Sequence, residues 1–252
     1  SASVDDDEAE KVVAVVRDQV PRQRLLIAGT GRDSTRATII ATRRAASAGA
    51  DAVLVRAPSF YKSQMNAAAF VRHYRALADA SPVPVLLYNF PAGFGVDIPG
   101  AAIEQLATHP NILGVKQSGG DLGKITDDLA MARSLSKPFY VMCGAAPILH
   151  AALLAGAAGG ILAVASVVPD LCVELYGLAR AGRHDEAREL QRRLTPLAKS
   201  VTSGFGVPGL KVALDLVGYI GGAPRSPLAP ASPEIIATIR EQLQALGVAA
   251  AA

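Results

Sequence analysis

Six short apolar runs, each closed by turn residues, set the strongest limit on how this chain folds. They are "RLLIAG" at 24–29, "DAVLVRAP" at 51–58, "VPVLLYNFP" at 83–91, "ILGVKQ" at 112–117, "FYVMCG" at 139–144 and "GGILAVA" at 159–165. Stretches with helical spacing separate them, at 34–49, 66–81, 100–110, 123–136 and 146–156, each with a capping residue or glycine near an end. Strand runs alternating with helices predict βα units on a parallel sheet, because parallel neighbours need a crossover connection. The runs are continuously apolar, which predicts cover on both faces, as in a (β/α) barrel or a doubly wound sheet. An opening helix is expected too, capped by Ser3 and the cluster Asp5, Asp6 and Asp7. From Pro169 onward the pattern turns to helices alone, so an α/β part over 1–168 and a helical extension over 169–252 are expected.

Composition narrows the function. Half of the 252 residues are hydrophobic and 19% are charged, which suits a globular fold with a large core. A net charge of +3, with lysines and arginines scattered, predicts no nucleic-acid partner and favours a small molecule. The run from His150 to Val168 approaches membrane-span length, but paired glycines break it and Pro169 ends it, so no membrane partner is expected. Two cysteines and four histidines without ligand spacing predict no disulfide framework and no metal. A reducing compartment follows: the cytoplasm, or the mitochondrion if a targeting segment lies upstream. The loop "GTGRDST" at 29–35 could offer N–H groups and the Thr30 or Thr35 hydroxyl to a carboxylate. It lacks both the G-x-G-x-x-G spacing and a P-loop ending, so no nucleotide cofactor is expected.

Polar groups gather where the strand runs end, the place α/β enzymes use for their sites. Lys116 closes one apolar run and Tyr88 takes the corresponding place on the preceding one. Apolar flanks disfavour an ammonium ion, and a neutral amine there attacks a ketone to give an imine. The alternatives are a rim lysine reaching water, or one paired with Asp121. Tyr88 is either a proton shuttle for imine chemistry or a strand-end aromatic tied to a loop.

Beyond these residues, "LIAGTG" at 26–31, "YNFPAGFG" at 88–95, "GVKQSGGD" at 114–121 and "FGVPGLKVALDLVGYIGGAPRSPL" at 205–228 resemble the Schiff-base-forming lyase family of dihydrodipicolinate synthase and N-acetylneuraminate lyase. The likeness runs nearly end to end and is strongest to the 4-hydroxy-2-oxoglutarate aldolases, in "RLLIAG", "LATHPNILGVKQSGGD" and the "GYIGG" tail. It implies a (β/α)8 TIM-type barrel with a C-terminal helical extension, no cofactor, a 2-keto acid substrate such as pyruvate, and a homo-oligomer, dimer or tetramer. It also implies that Lys116 forms the Schiff base, Tyr88 transfers protons, Ser118 contacts substrate, and Gly144 and Ile161 line the site, with the loop hydroxyl of Thr30 expected to bind substrate beside them.

Three departures from the family pattern stand out. Gly93 occupies the place where dihydrodipicolinate synthases carry an arginine for a second carboxylate. Phe60 falls where a neighbouring subunit's relay tyrosine is expected, with Tyr61 beside it, and a phenylalanine relays no proton. The family's first two strands, with their carboxylate-holding loop, have no counterpart before the first helix, and six strands do not close an eight-stranded barrel. The expected function is an aldolase that cleaves 4-hydroxy-2-oxoglutarate or a related 2-keto-3-deoxy acid to pyruvate and an aldehyde. The alternatives are a dihydrodipicolinate synthase-like or sugar-acid aldolase, and a catalytically impaired regulatory or scaffold relative.

Overall fold

The computed structural model describes residues 3–249, in two compact units that divide between Met142 and Cys143. The first contains α1 (Asp6–Gln19), β1 (Ile27–Gly29), α2 (Thr35–Ser47), β2 (Ala52–Arg56), α3 (Ala67–Ala80), β3 (Val85–Asn89), α4 (Pro91–Phe94), α5 (Gly100–Ala107), β4 (Ile112–Gln117) and α6 (Leu122–Arg133). The boundary falls inside β5 (Tyr140–Cys143). The second unit holds α7 (Leu149–Ala155), β6 (Gly159–Gly160), α8 (Pro169–Arg180), α9 (His184–Lys199), α10 (Gly206–Leu216) and α11 (Pro233–Ala245). The strands follow chain order in a six-stranded sheet, and β1 to β4 pair parallel. The α/β architecture expected from the sequence is therefore present.

Side-chain caps fix where the helices of the first unit begin. Asp5, Ser34, Asn66 and Asp121 each accept the backbone N–H three residues on, which satisfies an orphan donor of the first turn. At α1 the cap is reciprocal, since Glu8 accepts from the Asp5 N–H. The cap thus rests on Asp5.

The core of this unit lies between strands and helices. Val53, Val55, Val85, Leu87, Ile112 and Val115 are fully buried, as are Phe70, Tyr74 and Leu77 of α3 and Ile103 and Leu106 of α5. Their strand neighbours Leu54, Arg56, Leu86 and Tyr88 are only half-buried. The two faces therefore differ more than continuous apolar runs suggested: one packs under helices and the other carries the polar groups.

One irregularity decides which face those groups take. Val85 pairs with Ile112, but Leu86 pairs with Gly114, so β4 holds one extra residue at Leu113. Side chains alternate along a strand, so this bulge sends Val115 and Gln117 to the helix-covered face and Lys116 to the other. Downstream the register is Leu87 with Val115, Tyr88 with Lys116 and Asn89 with Gln117. Gly114 lets β4 pass close to β5: a Cβ there would lie 2.2 Å from the Tyr140 carbonyl oxygen.

In the second unit Leu175, Leu194, Leu197, Ile239 and Leu243 are fully buried. The run expected as a strand over 159–165 pairs only at Gly159–Gly160, then coils into a short 3₁₀ turn at Ala163–Ser166. Two glycines give a strand little side chain to pack, so the run does not extend. α9 ends in a π turn over Ser200–Gly204, where the Phe205 N–H reaches back to the Ser200 carbonyl.

Substituting Gly114→Ala is expected to destabilise the fold by about 2–3 kcal/mol, since backbone rather than a side-chain tip must give way. For a chain of this length that is a fall of roughly 5–10 °C in Tm by thermal denaturation. Gly100→Ala, with nothing within 4 Å of the added methyl, should leave Tm unchanged or slightly raised.

Candidate active site

The register set by the bulge lines up Arg56, Tyr88 and Lys116 across β2, β3 and β4. Lys116 is 9% exposed, and its Nζ lies 4.1 Å from the centroid of the Tyr88 ring, within cation–π reach. Tyr88 stacks on Phe90 at 6.2 Å and meets the edge of Phe94 at 5.2 Å. Phe90 and Phe94 close the cluster edge to face at 5.6 Å. Burial pushes the Tyr88 phenol above its usual range, and the neighbouring Ser118 hydroxyl opposes that rise. Tyr88 therefore stands as a neutral phenol beside an amine.

Ser118 follows Lys116 by two residues, and its backbone N–H donates to the Asn89 carbonyl at 2.9 Å. Its Oγ is buried and forms no hydrogen bond of good geometry among the described residues, so its contact with Tyr88 is loose. A buried hydroxyl left this way has capacity for a ligand's polar group. Gly93 sits under the aromatic cluster, where an added Cβ would fall 2.3 Å from the Phe90 ring.

The opposite face of the same strand ends carries a polar clasp that sequence reading missed. Asn89 is fully buried; its Nδ2 donates to Gln117 Oε1 at 2.8 Å and to Asp97 Oδ1 at 2.7 Å, while its Oδ1 accepts from the Ile98 N–H. Gln117 Nε2 donates to Asp128 Oδ2 at 2.6 Å. Lys124 pairs with Asp97 at 3.0 Å and donates to the Ile98 carbonyl. Burial raises the Asp128 carboxyl to about 6, against the Gln117 hydrogen bond and the Lys124 charge. Two signals were available: Asn89 and Gln117 each follow a site residue by one place, which puts them on the covered face. Asp128 also interrupts the buried stripe of Ile125 and Leu129.

At the end of β2, Arg56 pairs with Asp33 at 2.7 Å and lies 6.0 Å above the Phe94 ring. Asp33 accepts the backbone N–H groups of Ser59 and Phe60, which fixes the loop carrying Phe60 and Tyr61. The Arg56 hydrogen bond foremost holds the Asp33 carboxyl at about 2. Gly31 is needed here because a Cβ would lie 2.6 Å from the Arg56 backbone nitrogen.

The structure brings together Lys116, Tyr88 and Ser118 among the expected residues. Thr30 is buried on the helix side, its hydroxyl engaged with Thr42 of α2 at 2.9 Å, and Thr35 bonds His73 at 2.9 Å. Phe60 and Tyr61 are 77% and 66% exposed and meet edge to face, with no hydrogen bond to Tyr88 among the described residues. Asp121 serves as the α6 cap. Gly144 and Ile161 belong to the second unit, where both are half-buried and the Ile161 N–H donates to the Cys143 carbonyl at 2.9 Å. Among the described residues no three His, Cys, Asp or Glu converge as metal ligands, and no helix is long and apolar enough to cross a membrane.

Comparison with known proteins places this geometry. Residues 1–246 match the model of the dihydrodipicolinate synthetase family. A probable mitochondrial 4-hydroxy-2-oxoglutarate aldolase of Emericella nidulans is 41% identical over 217 residues, covering 86% of this chain and 69% of the relative. A 4-hydroxy-tetrahydrodipicolinate synthase of Methanospirillum hungatei is 34% identical over 243 residues, 96% of this chain and 82% of its own length. Among solved structures, the dihydrodipicolinate synthase of Thermotoga maritima superposes with a TM-score of 0.93 at 28% identity, over 98% of this chain and 83% of its own. That of Acinetobacter baumannii, solved with pyruvate, gives 0.90 at 28% identity over the same shares.

Two buried groups set a pH test of the site's surroundings. Asp128 holds its proton more tightly folded than unfolded, so its contribution is present below about pH 3.8 and lost as pH rises through about 6. His73, which burial lowers from 6.5 to about 4, contributes above pH 6.5 and loses that as pH falls toward 4. Each is on the order of 3 kcal/mol, with opposite slope, so together they leave stability nearly flat over that window. Asp128→Asn removes one slope: its Tm should exceed wild type at pH 7.5 and converge on it near pH 4, as read by calorimetry across pH.

Proposed function

The chain belongs to the dihydrodipicolinate synthetase family of carbon–carbon lyases, and we propose that it cleaves 4-hydroxy-2-oxoglutarate, or a close 2-keto-3-deoxy acid, to pyruvate and an aldehyde such as glyoxylate. The observation that carries this reading is the Lys116 amine held 4.1 Å from the Tyr88 ring on paired strands. The Lys116 amine adds to the C2 ketone, and Tyr88 hands its proton to the carbinolamine hydroxyl, which leaves as water. The protonated imine draws electrons from the C3–C4 bond while the C4 hydroxyl returns a proton to Tyr88, releasing the aldehyde and an enamine. Protonation at C3 and hydrolysis of the imine give pyruvate and restore the lysine. The Ser118 hydroxyl is the group in place to hold a substrate oxygen beside the forming imine.

Substrate choice in this reading follows from Gly93 and the aldolase relative. A cation for a second, distant carboxylate has no place at 93 while Phe90 fills the space above it. That weighs against a dihydrodipicolinate synthase role and toward a short 2-keto acid, in line with the fungal aldolase relative. A sugar-acid aldolase would use the same Lys116 and Tyr88. Further parts of the proposal are that the six strands belong to a (β/α)8 barrel, that residues 169–252 form its helical extension, and that the protein works as a homo-oligomer with the exposed Phe60 and Tyr61 facing a second copy. Thr30, buried toward α2 with its hydroxyl on Thr42, has no part in this reading. A cytoplasmic or mitochondrial location goes with this reading.

Borohydride reduction in the presence of pyruvate should leave one pyruvyl adduct, located on Lys116 by peptide mass spectrometry and absent from Lys116→Ala; an intact Lys116 would overturn the imine assignment. Tyr88→Phe should keep the adduct while lowering kcat by roughly 10²–10⁴-fold, the usual span for a lost proton-transfer group. Across a panel of 2-keto acids assayed for pyruvate release, kcat/KM is expected to be highest for 4-hydroxy-2-oxoglutarate, and a preference for long sugar acids would displace that substrate assignment.

A further inference from the structure

Asp128 is a 3% exposed carboxylate behind the lysine strand, and the proposed reaction makes no use of it. A carboxylate only accepts hydrogen bonds, so Gln117 has to turn its NH₂ toward Asp128 and its carbonyl toward Asn89. Asn89 then spends both amide hydrogens, on Gln117 and Asp97, and its carbonyl takes the Ile98 N–H. Every group in this chain has one available orientation, set by the Asp128 carboxylate at one end and by the Ile98 N–H and Asp97 at the other. The chain also ties β3 to β4 one residue beyond Tyr88 and Lys116.

We propose that Asp128, acting through Gln117 and Asn89, is a positioning residue for Lys116 and Tyr88, and that its charged form is the one that keeps the amine in reach of the phenol. The inference rests on the reading of Lys116 as the imine-forming residue. Protonating Asp128 converts a charge-assisted bond to a neutral one and adds an O–H that competes for the Gln117 carbonyl. A Gln117 amide that turns to accept it faces its NH₂ against the NH₂ of Asn89, which opens the clasp. Misplacing reacting groups by about 1 Å costs on the order of 10²-fold in rate, so a loosened clasp registers in imine formation. The charged groups around Asp128 are Lys124 one turn back on α6, which favours the carboxylate, and Asp127 and Asp97, which oppose it. With burial they bring its titration to about 6, inside the range where the enzyme can be assayed.

The test measures the rate of the cyanoborohydride-trapped pyruvate adduct on Lys116, by mass spectrometry of the full chain from pH 5 to 8. It compares wild type, Asp128→Asn, which keeps an acceptor for Gln117 without the charge, and Asp128→Leu, which has none. Wild type should show a step near pH 6 beyond the titration of the amine itself. Asp128→Asn should lack that step and stay near the slow low-pH wild-type rate across the range, because its side chain, like the protonated acid, is neutral and brings a donor toward Gln117. Asp128→Leu should be slower by about tenfold or more at pH 8, with half-saturation by pyruvate changed less than roughly threefold. Should Asp128→Leu fail to fold by circular dichroism, the Asp128→Asn profile decides alone. An Asp128→Asn profile superimposable on wild type overturns the positioning role and leaves the imine reading standing; a wild type that forms no adduct on Lys116 overturns both.

Discussion

The extra residue in β4 at Leu113 is the constraint on which the rest of the site depends. Regular pairing carried on from Val85 and Ile112 would set Tyr88 opposite Val115 and turn Lys116 into the helix-packed layer, where an ammonium group has no water and little room. One inserted residue reverses this for every position downstream. It buries Val115 and Gln117 under the helices and presents Lys116 beside Tyr88. Gly114, next to the insertion, is what lets the displaced backbone run against Tyr140. A packing detail of a single residue thus brings two polar strand ends into contact.

The two faces of β3 and β4 then do different work with neighbouring residues. Tyr88 and Lys116 meet each other, Phe90, Phe94 and Ser118 on one side, while Asn89 and Gln117 meet Asp97, Ile98 and Asp128 on the other. Apolar contact would hold the strands together equally well, but it would tolerate a slip. Directional hydrogen bonds between buried amides do not, because a shifted amide leaves a desolvated donor facing another donor. Arg56 and Asp33 play a comparable part at the end of β2, where one carboxylate gathers a guanidinium and two backbone N–H groups and so fixes the course of the loop through Ser59 and Phe60.

Much of this was legible in the sequence, and the exceptions have physical causes. The strands and helices show because burial under helices selects apolar runs, and caps such as Ser34, Asn66 and Asp121 mark helix starts by their own chemistry. Lys116 and Tyr88 show because a polar group at the end of an apolar run is costly without a purpose. The bulge does not show, since Leu113 and Gly114 belong to the same run and only pairing with β3 reveals the extra residue. Asn89 and Gln117 close their own runs and show no partnership until the strands pair, and nothing in the local sequence ties Asp128 to either. Thr30 was an attractive ligand in a glycine loop, but strand alternation turned its hydroxyl to Thr42. Run length misled at 159–165, where glycine and alanine supply too little side chain to sustain a strand.

The packing of Gly93 against Phe90 has a consequence for how this site could change its substrate over time. An arginine at 93 cannot simply be acquired, because its first side-chain carbon already collides with the Phe90 ring, and that ring is stacked on Tyr88. The two positions are therefore linked: for 93 to carry a side chain the Phe90 ring has to turn aside or shrink, at the expense of its stacking on Tyr88. Two residues three places apart are thus bound into one evolutionary unit, and the intermediate between two side-chain sets is a protein that has loosened the aromatic packing around Tyr88.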